Sequence, residues 1–175
     1  MQINVSQLLK SNIGTVRNYE IDTTVVIEGD ELNFKGNVRL MKTDRGIIAR
    51  AVLRSVLELQ CSRCLCDYVQ PLSISIEEEY FPSMDIVTGS DLPAPEEPGA
   101  FTIDDHNILD LTEAIRQYAV LAIPIKPLCK QDCSGLCPVC GTNLNEQTCN
   151  CTKPGDPRWE KLRDLLSTDS KDTNA

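Results

Sequence analysis

The chain carries the stretch IIARAVLRSVLELQ at residues 47–60. Apolar and polar side chains alternate along it, with Leu53 and Leu57 on one side of an extended chain and Arg50 and Arg54 on the other. Successive side chains of a strand point to opposite faces of a sheet, so this period of two predicts a β-strand with one buried face.

Three further runs of this kind occupy residues 21–27, 32–41 and 69–81. The polar break Thr43-Asp44-Arg45-Gly46 is typical of a hairpin turn in which the glycine takes a positive φ. Because no helical pattern separates the four runs, we expect an antiparallel sheet, or a small barrel-like form of it, over residues 1–81. The fold class is therefore predicted as α+β, an antiparallel β domain followed by one packing helix and a small C-terminal module with a terminal helix.

Charge is distributed unevenly along the chain. The 17 basic and 26 acidic residues give a net charge of -9, which excludes a general polycation. Residues 64–115 hold 12 of the acids and no Lys or Arg, so the rest of the chain carries a charge of +3. Prolines and glycines punctuate residues 82–105, which predicts an exposed acidic linker or loop.

The hydrophobic period changes after this segment. Asp110 followed by Glu113 is typical of a helix start, and Leu111, Ile115 and Ala119 fall on one side until the proline at position 124. This pattern predicts one helix within residues 106–128 that packs on the sheet.

A second helix is predicted to start at Asp156-Pro157 and to run to Leu166. Its apolar stripe, Trp159 and Leu162 with Leu166, either docks on the domain or binds a partner. The polar tail at residues 167–175 is predicted to be disordered.

Nine cysteines call for a chemical explanation. The sequence has neither a secretory signal pattern nor an apolar stretch long enough to span a membrane, so we expect a cytoplasmic protein with reduced thiols. Closely spaced thiols are then metal ligands or redox groups. A secreted disulfide scaffold is the alternative, and the odd number of cysteines disfavours it.

The stretch Cys137-Pro138-Val139-Cys140-Gly141 has the form of a metal knuckle. Cys149 and Cys151 offer a second pair, and these four thiolates are the leading choice for a structural zinc ion in a zinc-ribbon-like module at residues 129–166. A thioredoxin-type dithiol also uses the Cys-x-x-Cys spacing, which makes a thiol-disulfide redox protein the alternative function.

Cys61 and Cys64 form a second Cys-x-x-Cys pair far upstream. They are either half-buried thiols in a hairpin or, together with Cys129 and Cys133, a second four-sulfur site. We therefore expect one or two structural Zn²⁺ ions, with Cys66 left over in the second case.

Several of these segments together resemble the YceD family of bacterial and plastid large ribosomal RNA subunit accumulation proteins. The resemblance rests on Cys61-Ser62-Arg63-Cys64, on the string from Gly135-Leu136-Cys137-Pro138 to Asn143-Leu144-Asn145, and on Asp156-Pro157-Arg158-Trp159. It implies a non-enzymatic role in the synthesis, processing or accumulation of 23S rRNA.

Candidate partners follow from charge. A basic face formed by Arg39, Lys42, Arg45, Arg50, Arg54 and Arg63 is the candidate contact for rRNA, and a solvated face without a ligand is its alternative. The acidic segment at residues 77–105 is the candidate contact for basic ribosomal proteins. We expect no membrane, no small-molecule substrate and no enzymatic activity, because the single histidine, His106, lies at the end of the linker and no Ser-His-acid set or phosphate-binding glycine loop is present.

Overall fold

The computed structural model describes residues 1–93, 95, 97–152 and 157–159. It divides into two compact units, the first made of Met1–Gln60 and Asp67–Pro127, and the second of Cys61–Cys66 and the chain from Leu128 onward. In chain order the regular elements are β1 Gln2–Asn4, α1 Ser6–Leu9, β2 Val16–Ile27, β3 Asp30–Lys42, β4 Ile47–Gln60, β5 Asp67–Pro82, β6 Phe101–Ile103, β7 Ile108–Asp110, α2 Thr112–Ala122 and the 3-10 turn Pro157–Trp159.

The strands of the first unit form one sheet in the order β1-β7-β6-β5-β4-β3-β2 within the described part of the chain. The four long strands β2 to β5 pair antiparallel, as the sequence predicts. Each extends beyond or matches the predicted run, and the unit is mostly β-sheet with few helices.

The inner face of this sheet is the core of the first unit. Along β4 the odd-numbered side chains from Ile47 to Leu57 are buried and the even-numbered Arg50, Val52 and Arg54 are exposed. The other long strands alternate in the same way, and Phe34, Leu40 and Ile76 are fully or almost fully buried. Burial of a large apolar side chain contributes about 1.5–3 kcal/mol, so this face supplies most of the stability of the unit.

The sheet continues past residue 82, which the sequence pattern does not predict. β6 pairs with β5 in parallel, and β7 pairs antiparallel with β1, the first strand in chain order. The predicted linker at 82–105 therefore contains a strand. Before it, the Asp85 carboxylate accepts hydrogen bonds from the backbone N–H groups of Val87 and Thr88 and forms a local turn.

Helix α2 lies against β5 and β2. Ile115 and Ala119 are buried as predicted, Ala114 is buried as well, and the helix ends before the proline at position 124. The N-cap residue is Leu111, and Asp110, the predicted start of the helix, lies one residue before it, where its carboxylate accepts the N–H of Thr112 at 2.9 Å. The predicted capping-box partner Glu113 binds Arg116 instead.

The second predicted helix, at 156–166, and the tail at 167–175 lie outside the described residues except for the turn Pro157–Trp159, in which Trp159 is exposed. No helix among the described residues has the length and apolar character needed to cross a membrane.

Gly46 differs from its prediction. Its φ is not positive; instead, a Cβ atom at this position would lie 2.2 Å from the carbonyl oxygen of Tyr80 on β5. The sequence requires glycine here because two backbones approach closely, and not because the turn needs a left-handed residue.

We expect Gly46→Ala to destabilise the protein by about 1–3 kcal/mol, because the backbone fixes the position of the new Cβ and the carbonyl of Tyr80 that it meets is itself backbone, so neither can rotate away. Chemical denaturation followed by circular dichroism measures this effect. Tyr80→Phe is the control, since the Tyr80 hydroxyl is buried without a hydrogen-bond partner among the described residues and its removal leaves stability unchanged or raises it. Equal stability of Gly46→Ala and the native protein would contradict the close-approach explanation.

Candidate metal centres

The second unit has an unusual interior. Among its described residues the buried side chains are those of Cys61, Cys64, Cys133 and Cys137, while its larger apolar residues are exposed or only partly buried. A polypeptide of this size with no aliphatic core needs another source of cohesion. The cysteines are therefore the structural centre of this unit.

The first cysteine group combines two segments that are distant in sequence. Cys61 and Cys64 lie in the loop between β4 and β5, and Cys129 and Cys133 follow α2. Their four sulfur atoms all lie within 4.8 Å of one another, with 3.8 Å between Cys61 and Cys133 and 3.6 Å between Cys64 and Cys129. Four sulfurs placed tetrahedrally at about 2.3 Å from one ion are about 3.8 Å apart, so this group could hold a metal ion.

Two backbone hydrogen bonds shape the first loop. The N–H of Leu65 donates to the Cys61 carbonyl at 2.9 Å, and the N–H of Cys61 donates to the Cys66 carbonyl at 2.9 Å. The resulting tight turn, with Leu65 at a φ of 58°, presents the Cys61 and Cys64 thiols on the same side.

Cys66 remains outside the four-sulfur group. It is nevertheless close, since its sulfur lies 3.1 Å from that of Cys64. Its side chain is half-buried.

The second group consists of Cys137, Cys140, Cys149 and Cys151, whose sulfurs also lie within 4.8 Å of one another. Leu136 and Asn143 form an antiparallel bridge around the knuckle, and the N–H of Gly141, at a φ of 75°, donates to the Cys137 carbonyl. Cys140 and Cys151 are exposed, which makes this group more accessible to solvent than the first.

The thiols of each group divide into two kinds. The pKa of Cys61 is lowered to about 5, chiefly by a hydrogen bond from the Cys129 backbone, and the pKa of Cys140 is lowered to about 6, chiefly by the Thr142 hydroxyl. Burial raises the pKa of Cys129, and the hydrogen bond shared with Cys140 raises that of Cys151 to about 12. Each group thus combines thiols of lowered pKa, which include Cys64 in the first group and Cys137 in the second, with thiols of raised pKa that would release their protons when a cation binds.

Two side chains that the cysteine spacing does not predict as part of the site hold the first group in place. The Asn145 amide donates to the Cys133 sulfur at 3.3 Å while its oxygen accepts the N–H of Ser134 at 2.9 Å. The Arg63 guanidinium donates to the Cys133 carbonyl at 2.7 Å. The motif contains Asn145, but only the folded chain reveals that it contacts a sulfur atom twelve residues away.

The six residues proposed to contact RNA lie in different parts of the structure. Arg39, Arg50 and Arg54 lie on the outer face of the sheet in the first unit, whereas Lys42 lies on the opposite side of β3, where it follows the buried Leu40 by two residues. Arg63 belongs to the second unit and is engaged with Cys133. Arg45 pairs with Glu79 at 2.9 Å, so the six residues do not form a single face.

The remaining titratable group that the sequence singled out is exposed. His106 contacts Asp105 at 2.6 Å, and with Asp104 these side chains lie in the loop before β7. Hydrogen bonding to Asp105 raises the pKa of His106.

Comparison with known proteins identifies similar sequences. The profile of the large ribosomal RNA subunit accumulation protein YceD matches residues 49–166. Uncharacterized proteins of Mycobacterium bovis and Mycobacterium tuberculosis are 26% identical over 135 residues, which is 77% of this chain and 62% of theirs. An uncharacterized protein of Mycobacterium leprae is 22% identical over 167 residues, which is 95% of this chain and 73% of that protein. No solved structure matches the chain.

We expect Asn145→Ala to weaken metal binding at the first cysteine group by about 10–100-fold, because the substitution removes the hydrogen bond that orients Cys133. Competition with a chromophoric chelator measures the affinity. Gln131→Ala is the matched control, since this exposed side chain lies in the same loop between Cys129 and Cys133. An Asn145→Ala protein with the affinity of the control would show that Asn145 does not support the site.

Proposed function

Because the chain belongs to the YceD family of large ribosomal RNA subunit accumulation proteins, we propose that it is a non-enzymatic accessory factor for the accumulation of 23S rRNA and the large ribosomal subunit. We further propose that zinc bound by its two cysteine groups holds the second unit together. The observation that carries the zinc proposal is the interior of this unit, where cysteine side chains take the place of an apolar core.

Zinc is the metal that suits these groups best. All eight donors are thiols, which favour soft or borderline ions, and a closed set of four sulfurs is the common arrangement of a structural zinc site. Zinc bound to Cys61, Cys64, Cys129 and Cys133 would link two segments of the chain, and zinc bound to Cys137, Cys140, Cys149 and Cys151 would stabilise the knuckle. In both places the metal would supply folding free energy.

A role without catalysis agrees with the chemistry of these groups. A catalytic zinc site keeps one coordination position for water or substrate, whereas each group here supplies four thiols. His106, the single histidine of the sequence, is exposed beside Asp105. We therefore propose that the protein acts by binding rRNA or basic ribosomal proteins in the cytoplasm.

The acidic segment at residues 77–105 has fewer free carboxylates for binding a basic protein partner than the sequence suggests. Glu77 pairs with Arg50, Glu79 pairs with Arg45, and Glu78 accepts the Tyr118 hydroxyl at 2.8 Å. Three of its carboxylates therefore have partners within the first unit. The acids from Asp85 to Asp105 remain the part of the segment proposed to attract ribosomal proteins.

We expect two zinc ions per chain by elemental analysis of the native protein, and one in each of the variants Cys61→Ser with Cys64→Ser and Cys137→Ser with Cys140→Ser. A chelator should remove the ion from the exposed second group first. One ion in the native protein that persists after the Cys61 and Cys64 substitutions would refute the first site. A native protein free of zinc whose Cys137 and Cys140 cycle between dithiol and disulfide would instead support the redox alternative.

We also expect depletion of the protein in its own host to lower 23S rRNA relative to 16S rRNA, measured by quantitative Northern blotting. Complementation with the Cys61→Ser, Cys64→Ser variant should fail, because the second unit loses its first metal group. Cys66→Ser is the matched control and should complement, since Cys66 lies outside both groups. An unchanged ratio of the two rRNAs after depletion would contradict the proposed function.

A further inference from the structure

The outer face of the sheet has a cationic centre on its two middle strands. The antiparallel register places Arg39 of β3 opposite Arg50 of β4, and Lys35 of β3 opposite Arg54 of β4. All four side chains are exposed. Between the two rows lie Asn37 and Val52, so these six positions, which we call the basic patch, contain no acid.

This arrangement costs stability. Like charges that face each other across two strands repel, and each such pair destabilises a sheet. The patch contains two of them on the same face, separated by the row of Asn37 and Val52, at positions where most polar residues would fit the solvent-exposed side of a strand equally well. Folding alone does not account for this choice of residues.

Acidic neighbours neutralise only half of the patch. Arg50 pairs with Glu77 at 2.7 Å, and Lys35 pairs with Asp22 at 3.0 Å. Arg39 and Arg54 have no ion pair or side-chain hydrogen bond among the described residues. Arg39 and Arg54 lie at opposite corners of the patch, and their backbone positions are four residues, or about 13 Å, apart along the strands.

The surface around these groups is concave. A groove of about 930 Å³ is lined by the basic patch together with Asn18, Ser75 and Glu77. It contains no aromatic side chain on which a base could stack. Toward the far end of the sheet the outer face becomes apolar and acidic, with Val56 and Val69 beside Glu31 and Glu58, which limits the cationic region on that side.

We propose that the basic patch binds the sugar-phosphate backbone of RNA independently of base sequence, with Arg39 and Arg54 as the principal contacts. The proposal rests on the proposed role in 23S rRNA accumulation and assigns RNA contact to one surface of the first unit. Charge complementarity supports it, because unpaired guanidinium groups form bidentate hydrogen bonds with phosphate oxygens. The absence of aromatic residues from the groove favours backbone contact over base recognition.

The test compares Arg39→Gln, Arg54→Gln with the native full chain. Fluorescence anisotropy with labelled polyuridylate at several salt concentrations measures affinity. We expect about tenfold weaker binding at low salt, and a slope of log affinity against log salt that is smaller in magnitude by about 1.4, since each lost phosphate contact on a single strand contributes about 0.7.

The matched control is Lys10→Gln, Lys126→Gln, which removes the same charge from exposed positions of the first unit outside the patch. The control should bind RNA as tightly as the native protein. Thermal unfolding provides an independent measurement, because removal of like-charge pairs should leave the melting temperature of the Arg variant unchanged or raise it. A structural role of these arginines would lower it instead.

Equal RNA affinity of the Arg variant and the native protein would overturn the proposal, as would an equal loss in the lysine control. Polyglutamate that competes as well as RNA at equal charge concentration would also overturn it and would assign the patch to an acidic protein. The depletion experiment on 23S rRNA does not depend on these residues. RNA binding by the basic patch can therefore be refuted while the proposed function stands. An unchanged ratio of 23S to 16S rRNA would refute the proposed function whether or not the protein binds polyuridylate.

Discussion

The meeting of two distant pairs of thiols is the constraint on which the second unit depends. Cys64 and Cys129 are separated by 65 residues, and Cys61 and Cys133 by 72, yet the sulfurs in each pair are less than 4 Å apart. Ordering these segments costs conformational entropy that the few buried side chains of this unit do not offset. A metal ion that binds all four sulfurs would offset this cost. Metal binding and folding of this unit are therefore coupled.

The first unit uses a different source of stability. Its long strands bury most of one face, and the period of two that forms this core also places Arg39, Arg50 and Arg54 together on the other face. Core and basic patch are thus two consequences of one pattern. The outer face contributes little to stability, so its residues are free to be selected for binding even when they repel each other.

Long elements with many periodic residues were predictable, and short ones were not. Strands β2 to β5 and helix α2 each contain enough residues to show their period. The three-residue strands β1, β6 and β7 do not, and the parallel pairing of β6 with β5 depends on the path of the segment between them. The requirement for glycine at position 46 likewise comes from Tyr80, which is 34 residues away in the sequence.

The candidate sites follow the same division. The spacing of the cysteines was enough to propose the group of Cys137, Cys140, Cys149 and Cys151 and to offer the other group as one of two alternatives, because closely spaced thiols can reach one ion wherever the loop lies. The roles of Asn145 and Arg63 depended on tertiary structure, since their contacts with Cys133 span parts of the chain with no local pattern. Lys42 lies on a different side from Arg39 because β3 extends to Lys42, one residue beyond the predicted run, and residues three apart in a strand point to opposite faces. The sequence alone therefore determines local periodicity and ligand spacing, whereas contacts between distant segments arise only when the folded backbone brings the segments together.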